Sequence, residues 1–491
     1  MSTRAIPLLA AAVLSAALTT TAAASAPNTA PGRAPGADVA RPNIVVIMTD
    51  DQNVSSFPVM TKTRQLLAAA GTTFDNNFVS FSLCCPSRAT YLTGQYPHNH
   101  DVMGNSPPDG GYYQLRGNET VPVWLSRAGY RTTHIGKYLN GYGTQDPLEI
   151  PLGWQEWHGM VDPTTYRMWG YTINNNGVLQ TYGQQDVEDP ALYQTDVLSA
   201  FATNYIDRVA PGEQPFMLSF APLAPHAEVG WASMNGNRNP RPAPRHRGAF
   251  ADAQLPRTPS FDEADVSDKP QQVQQLPRLS ATAVAGITKD YRSRLESLLA
   301  VDDAVAAIVN RLQQHGELAN TLIIFTSDNG WLQGEHRIPR GKIYTYEESI
   351  RVPLVLRGPG VPAGGTNQAF VSNVDLAATI LDAADAQPGI VIDGRSLLSI
   401  AQNPGQAAGR HLLVETGPKP SGAQWYAAVR VGRYIWVEHS TGERELYDLQ
   451  VDPYQLLSRH NDPAYATVRM VLANRLHQLQ ACAGTSCWLV A

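Results

Sequence analysis

Two pairs of oxygen-bearing side chains stand directly after apolar runs. Thr49-Asp50-Asp51-Gln52 follows Asn43–Met48, and Ser327-Asp328-Asn329-Gly330 follows Thr321–Phe325. Carboxylate and amide oxygens from Asp50, Asp51, Asp328 and Asn329 suit a hard divalent cation, Ca²⁺ or Mg²⁺, and not the His/Cys set of a zinc site. An Asp-Asp pair alone says little, since Asp302-Asp303 falls inside a helical pattern and reads as a solvated face. Only six of the 37 basic residues are lysine, so Lys137 and Lys342, each behind a glycine, stand out. A compact ammonium is not interchangeable with a guanidinium, and its use in an arginine-preferring chain points to a role. Cys84 and Cys85 are adjacent, a spacing that disfavours a mutual disulfide.

These residues need a frame that brings them together. Asn43–Met48, Tyr130–Ile135, Phe216–Phe220 and Thr321–Phe325 read as buried strands, each running into polar residues. Helical patterns at Val121–Ala128, Tyr193–Val209 and Tyr291–His315 alternate with them. The alternation predicts an α/β fold, a largely parallel central sheet flanked by helices, with ligands beyond the C-terminal ends of the strands. Past a loose stretch at Gln387–Gln406, strand patterns at Tyr426–Val431, Tyr434–His439 and Glu443–Asp448 precede a helix from about Tyr465 to Gln480. That predicts a small α+β C-terminal subdomain, an antiparallel sheet plus helix. The stretch Asn235–Pro277, rich in Pro, Arg, Asp and Gln without periodicity, reads as a long surface excursion.

The segment Leu83-Cys84-Cys85-Pro86-Ser87-Arg88, followed by Leu92-Thr93-Gly94, resembles the sulfatase signature. Gly129–Leu139 resembles the second signature of that family, and Asp50-Asp51, Ala224-Pro225-His226, Asp328-Asn329 and Gly341-Lys342 fall in the family's order. The resemblance covers about residues 41–480 and is greatest to the N-acetylglucosamine-6-sulfatase branch. It implies that Cys84, converted to formylglycine by a formylglycine-generating enzyme, hydrates to a geminal diol. One hydroxyl, held on the cation, attacks sulfur and the alcohol leaves; the second then loses its proton, sulfate is expelled and the aldehyde returns. The Cys-x-Pro-Ser-Arg spacing is met by Cys84 and not by Cys85, which is expected to pack beneath as a small apolar residue.

The resemblance further implies Asp50, Asp51, residue 84, Asp328 and Asn329 as metal ligands, with Ca²⁺ expected and Mg²⁺ the alternative. Arg88, Lys137, His226 and Lys342 become catalytic, Lys137, His226 and Lys342 also contacting substrate. His226 is the expected general acid for the leaving alcohol. With a divalent cation bound, three carboxylates and three cationic side chains leave a net positive pocket for an oxyanion. One position departs from the family: two residues after Lys137 stands Leu139, followed by Asn140, where a histidine is common. His98, His100 and His336 are therefore candidates for the missing proton acceptor or for substrate contact. Arg238, Arg241, Arg245, His246 and Arg247 could meet an anionic polysaccharide or form a solvated loop, and Trp154, Trp157 and Trp169 could stack on sugars or pack the core.

The 491 residues carry a net charge of −6 with pI about 6.1, so no global basic field draws the chain to nucleic acid. Residues 1–26, with Arg4, an apolar stretch from Ala5 to Leu18 and small residues near Ala24, read as a secretory signal peptide. The apolar run falls short of a membrane span and no cysteine follows it for a lipid anchor. Residues 27–40 read as a flexible leader, 41–400 as the catalytic domain and 401–491 as the C-terminal subdomain. In the oxidising compartment this implies, Cys482 and Cys487 are expected to form a disulfide. The expected activity is hydrolysis of sulfate esters, of sulfated sugars above all, by an exported enzyme. A phosphomonoester or phosphonate ester hydrolase of the same superfamily and a catalytically silent carbohydrate-binding relative are the rivals.

Overall fold

The computed structural model describes residues 41–228 and 239–490, with Met1 and Ser2. The expected signal peptide, apart from those two residues, the leader and positions 235–238 lie outside the described residues. The unit from Arg41 carries two sheets. Ten strands form the first: β1 (Asn43–Thr49), β2 (Thr72–Phe78), β3 (Arg131–Gly136), β4 (Glu156–Met160), β5 (Tyr171–Asn175), β6 (Val178–Tyr182), β7 (Phe216–Ala221), β8 (Thr321–Ser327), β9 (Leu354–Arg357) and β10 (Gly365–Ser372). Their order is β10-β2-β9-β8-β1-β7-β3-β4-β5-β6. The middle run β8-β1-β7-β3-β4 is parallel throughout, β9 is antiparallel to β8 and β2, and β5 and β6 extend the far edge antiparallel.

Strands buried on both faces explain the near-continuous apolar runs in the sequence. Along β1, Ile44, Val46 and Met48 enter one core, while Val45 and Ile47 enter the other. Helices α1 (Cys84–Thr93), α2 (Val121–Arg127) and α5 (Asp375–Ala384) cover the first face through Ala89, Leu92, Trp124 and Ile380. Helices α3 (Gln194–Val209) and α4 (Ala281–Gln314) cover the second, with Leu298, Val301, Val305, Ile308 and Leu312 repeating at helical spacing. Helix α4 begins ten residues before the periodicity suggested, at an N-cap where Ser280 Oγ accepts from Ala283 N at 3.1 Å. The Asp302-Asp303 pair on α4 is not a solvated face: Asp302 is buried and accepts from the backbone of Lys62 and Thr63.

The second sheet, β11 (Leu412–Glu415), β12 (Tyr426–Val431), β13 (Tyr434–His439) and β14 (Arg444–Asp448), is antiparallel in chain order. Its Leu412, Ala428 and Val437 face a core shared with Phe78 and Val352 of the larger sheet's region. Leu413, Val429 and Leu446 face α6 (Ala466–Gln480), the predicted helix, through Leu472, Leu476 and Leu479. The expected Cys482–Cys487 disulfide closes just beyond it.

One polar link ties the segment after α1 to this second sheet. His98 Nδ1 meets Glu415 Oε1 at 2.7 Å, and Nε2 reaches the Cys482 carbonyl at 2.9 Å. Burial opposes a charge on His98, but the Glu415 carboxylate outweighs it and the imidazole is pushed up to about 9. A group raised on folding contributes stability that is complete below its unfolded value of about 6.5 and lost as pH climbs through the folded one. His98→Gln is therefore expected to cost about 2 kcal/mol at pH 6. The deficit should shrink as pH rises towards 9.5 in urea unfolding; a deficit of equal size at both pH values would refute this account.

Candidate active site

The site begins where β1 and β8 end. Thr49 and Ser327 are paired neighbours, so Asp50-Asp51 and Asp328-Asn329 leave the sheet side by side. Gln52 N donates to Ser327 Oγ at 2.9 Å and Asp328 N to the Thr49 carbonyl at 3.1 Å, which locks the two loops together. Asp51 has φ +65°, a left-handed conformation uncommon for a residue with a Cβ. Its N–H donates to Asp328 Oδ1 at 3.1 Å and its carbonyl accepts from the Arg294 guanidinium, so the surroundings over-determine the strained backbone.

Cys84 opens α1, and Arg88 lies one turn on, on the same face. Cys84 Sγ is 3.4 Å from Asp50 Oδ1 and 2.8 Å from Lys342 Nζ. Arg88 Nε donates to Asp328 Oδ2 and Nη1 to the Lys137 carbonyl, both at 2.8 Å. Lys137 follows β3 and pairs with Asp50. It can follow so closely because Gly136, at φ +111°, lets β3 approach β7: a Cβ there would stand 2.2 Å from the Ala221 carbonyl oxygen. Lys342 pairs with Asp51 and lies 3.4 Å from Asn329 Oδ1. His226 gives Nδ1 to its neighbour Ala227's carbonyl at 2.6 Å, which turns Nε2 towards Asp51 Oδ2 at 3.6 Å.

The electrostatics follow from burial and pairing. Burial alone would raise the Asp50 carboxyl, but Lys137, His226, Arg88 and Lys342 together hold it well below the usual carboxylate range. Asp51 is lowered too, with Lys342 foremost among the groups opposing its burial. Burial, followed by the Asp50 charge, pushes the Cys84 thiol up to about 12, so the two nearby ammonium groups do not make it a thiolate. One ligand atom each from Asp50, Asp51, Cys84 and His226 lies within 4.8 Å of the others, room for one metal ion. Asp51 Oδ2 is buried with no hydrogen-bond partner, an orphaned anionic oxygen that a cation would satisfy. Asp328 and Asn329 lie against this group, engaged with Arg88, Asp51 and Lys342. An oxygen-dominated set of this kind fits a hard cation.

A sulfatase family model matches residues 42–386, and a model described as N-sulphoglucosamine sulphohydrolase, C-terminal, matches residues 334–482. The chain is 33% identical to the N-acetylglucosamine-6-sulfatase of Homo sapiens, over 92% of this chain and 86% of that protein. It is also 33% identical to an arylsulfatase of Volvox carteri, over 91% of this chain and 76% of that protein. The chain belongs to the sulfatase family. A solved structure in complex with its substrate D-glucosamine-2-N,6-O-disulfate shares the fold at a TM-score of 0.73 and 24% identity, with 90% of this chain and 97% of that chain covered. This sulfatase is thus a sulfuric ester hydrolase built on a mostly parallel sheet with an antiparallel C-terminal sheet.

Several residues singled out in the sequence do not join the cluster. In this sulfatase His98 is spent on Glu415 and the Cys482 carbonyl. His100 is buried against Thr90 Oγ1 at 3.1 Å, and burial pushes its imidazole down to about 3. His336 is buried on the Tyr346 ring with Nδ1 2.6 Å from Glu263 Oε2. Each is a packed histidine whose polar partners are structural. Leu139 belongs to the core, and the Asn140 amide donates to Tyr166 Oη at 2.5 Å, so that position offers no proton acceptor near residue 84. Cys85 lies in the apolar core beneath α1. Arg241, Arg245, His246 and Arg247 form no free basic patch: each is paired with an acidic side chain, Glu228, Asp196, Asp303 and Glu188, and Arg245 and Arg247 lie exposed on a solvated stretch. Trp154, Trp157 and Trp169 are buried core residues.

Two contributors escaped the sequence. The Tyr166 ring lies 4.8 Å from Lys137 Nζ and 5.2 Å from the His226 ring, a wall between the two. Arg294, buried on α4, donates to the Asp51 carbonyl and, at 3.0 Å, to the Pro225 carbonyl, fixing the strained loop of Asp51 and the loop of His226 with one planar fork. Its counter-charge is Asp290, whose carboxylate is buried four residues earlier on the same helix. Arg294→Met should therefore weaken divalent-cation affinity by about tenfold or more, while Asp290 keeps its ion pair with Arg340 at 3.5 Å. Arg340→Met, which removes that pair without touching the Asp51 carbonyl, should lower stability and not affinity. Calorimetric titration and thermal unfolding of both variants check this; unaltered cation affinity in Arg294→Met would exclude the positioning role.

Proposed function

We propose that this sulfatase removes 6-O-sulfate from N-acetylglucosamine units of sulfated sugars, with Cys84 acting as formylglycine and Ca²⁺ as the resident ion. The position of Cys84 carries the reading: its side chain stands between Asp50 and Lys342 at the start of α1, while its thiol is too strongly protonated to serve as a thiolate. The relatives named N-acetylglucosamine-6-sulfatase support the substrate class. Asp50, Asp51, Asp328 and Asn329, with residue 84, would hold the ion, and their oxygen donors favour Ca²⁺, with Mg²⁺ the alternative. Hydrated formylglycine would supply a nucleophilic hydroxyl and a second hydroxyl whose deprotonation releases sulfate. The apolar stretch Ala5–Leu18 supports export, and among the described residues no helix is long and apolar enough to cross a membrane.

The chain's own residues then have separate tasks. Lys137, Lys342 and Arg88 surround residue 84 with fixed positive charge for the sulfuryl oxygens, already desolvated and so at little reorganisation cost. His226 is the only imidazole in the four-residue group, and the structural engagement of His98, His100 and His336 leaves both proton transfers to it. Protonated Nε2 gives a proton to the departing alcohol oxygen; the neutral ring then takes one from the second hydroxyl of residue 84. The ring returns to its starting state; the attacking hydroxyl would enter already ionised, its own proton having passed to solvent beforehand, so one proton is released per sulfate ester hydrolysed. The ester's negative charge favours the protonated ring when substrate is bound, against the burial that lowers it in the free site.

Sulfate release from N-acetylglucosamine-6-sulfate tests the reading. Turnover should exceed that of the matched 6-phosphate by orders of magnitude, disappear on chelation and return with Ca²⁺. Brisk activity on a 4-O-sulfated galactosamine with none on the 6-sulfated glucosamine would overturn the substrate, and preference for phosphate would overturn the class. Cys84→Ala should lose turnover by about 10³-fold or more with the fold retained, whereas Cys85→Ala should lose stability and keep the chemistry. Peptide mass spectrometry of active protein should find an aldehyde at 84 and a thiol at 85; a fully active protein with an intact thiol at 84 would end the mechanism.

A further inference from the structure

A second cavity lies against the segment that carries Lys342, on the side of the C-terminal sheet. Its volume is about 190 Å³, and its walls come from the segment Pro270–Gln275, the start of β12 and the β13–β14 turn. Ile343 forms part of the wall and directly follows Lys342, so consecutive residues of one segment face the reacting centre and this cavity. That segment is firmly held: Ile343 takes φ +71°, unfavourable for a β-branched side chain, and its N–H donates to the Ser82 carbonyl at 3.1 Å, two residues before Cys84.

The lining chemistry contrasts with that of the cluster. Among the described residues that line the cavity there is no lysine or arginine. The polar groups include the exposed amides of Gln271, Gln272, Gln275 and Gln424, the hydroxyls of Thr416 and Thr441, the imidazole of His439 and the carboxylate of Glu443, with the half-buried indole of Trp425 beside them. The four amide side chains make no hydrogen bond with other described residues and are free to donate and accept. Glu443 is held in place by Gln271 N at 2.6 Å and Thr441 Oγ1 at 2.6 Å. Free amides beside an indole suit hydroxyl and N-acetyl groups on a sugar ring, while a fixed carboxylate with no lysine or arginine in the wall disfavours an anion. The volume is below the roughly 300–1,000 Å³ of whole drug-sized ligand sites and matches one ring.

The geometry points to a subsite here for one uncharged sugar ring of the substrate, bearing hydroxyl or N-acetyl groups and no second sulfate or carboxylate. It rests on the sulfate-ester reading of the cluster and adds that the protein sorts its substrate by charge. The ester sulfate goes to the Lys137, Lys342 and Arg88 end, and neutral sugar goes to the Gln and Trp end.

The full-length protein tests this with two matched sugars, N-acetylglucosamine-6-sulfate and glucosamine-2-N,6-O-disulfate. The expected ratio of kcat/KM is about tenfold or more in favour of the singly sulfated sugar. Gln275→Arg, which places a cation in the cavity, should move that ratio towards the disulfate by about fivefold, with Glu443→Gln moving it in the same direction. Equal turnover of the two sugars, or a ratio that neither variant moves, would overturn the subsite. Calorimetry with the methyl glycoside of N-acetylglucosamine decides separately from turnover: binding weakened about fivefold by Trp425→Ala supports the subsite. No binding to the parent protein, or binding indifferent to Trp425, counts against it. Should no sulfate ester be hydrolysed at all, the hydrolase reading fails and the calorimetric result still stands for or against the cavity.

Discussion

Three buried carboxylates held by two buried cations and a largely buried third, at the ends of two neighbouring strands, are the constraint on which this structure depends. Ions removed from water are costly unless each finds a close partner. Here Asp50 meets Lys137, Asp51 meets Lys342 and Asp328 meets Arg88. Meeting that requirement dictates much else: α1 must begin where Arg88 can reach Asp328 one turn after Cys84, and β3 must lie close enough to β7 to deliver Lys137. The segment leading to Lys342 must fold back beneath residue 84. The charges that prepare the site for an oxyanion are thus also a condition for burying it.

Helix α4 is the rod against which the arrangement is braced. Near its middle Arg294 reaches out to the loops of Asp51 and His226, and further along Asp302 accepts from the backbone at Lys62 and Thr63. Between them, Leu298 and Val301 anchor the helix on the sheet. A single rigid element therefore references both sides of the β1 loop to the same apolar core, which is how an Asp at positive φ keeps one geometry.

The parts of the fold visible in the sequence were those with strong local signals. The central strands β1, β7 and β8 are near-continuous apolar runs, whereas β3 is mostly Thr and His and buries polar side chains, and the helices repeat at three and four residues. The edge hairpin β5–β6 is polar on its outer face and was not anticipated, although Asn176-Gly177 between its strands is a turn signal. Strands β2, β9 and β10 are short or mixed in character and are defined by their neighbours. The site residues came out of order and motif, and the structure gathers Asp50, Asp51, Cys84, Arg88, Lys137, His226, Asp328, Asn329 and Lys342. Histidines misled because a residue type does not carry its partner with it: the Glu415 that engages His98 lies 317 positions away. Arg294 was invisible for the same reason, since it serves two backbone carbonyls, one of them 243 positions distant.

The pairing of β1 also sets an order of events. Its neighbours are β7 and β8, with Ile44 beside Met217 and Asn43 beside Thr321, so the central strand is completed only after most of the chain exists. Loop closure of that length is slow compared with forming α1 locally. Once it has happened, Cys84 is about 1% exposed, walled in by residues from both ends of the sequence. A macromolecule that must grip the backbone around residue 84 cannot reach it there, since Ser82, Cys85 and Ser87 are buried with it. On the reading proposed for Cys84, an enzyme that rewrites that side chain would therefore have a window that opens with synthesis and shuts with folding.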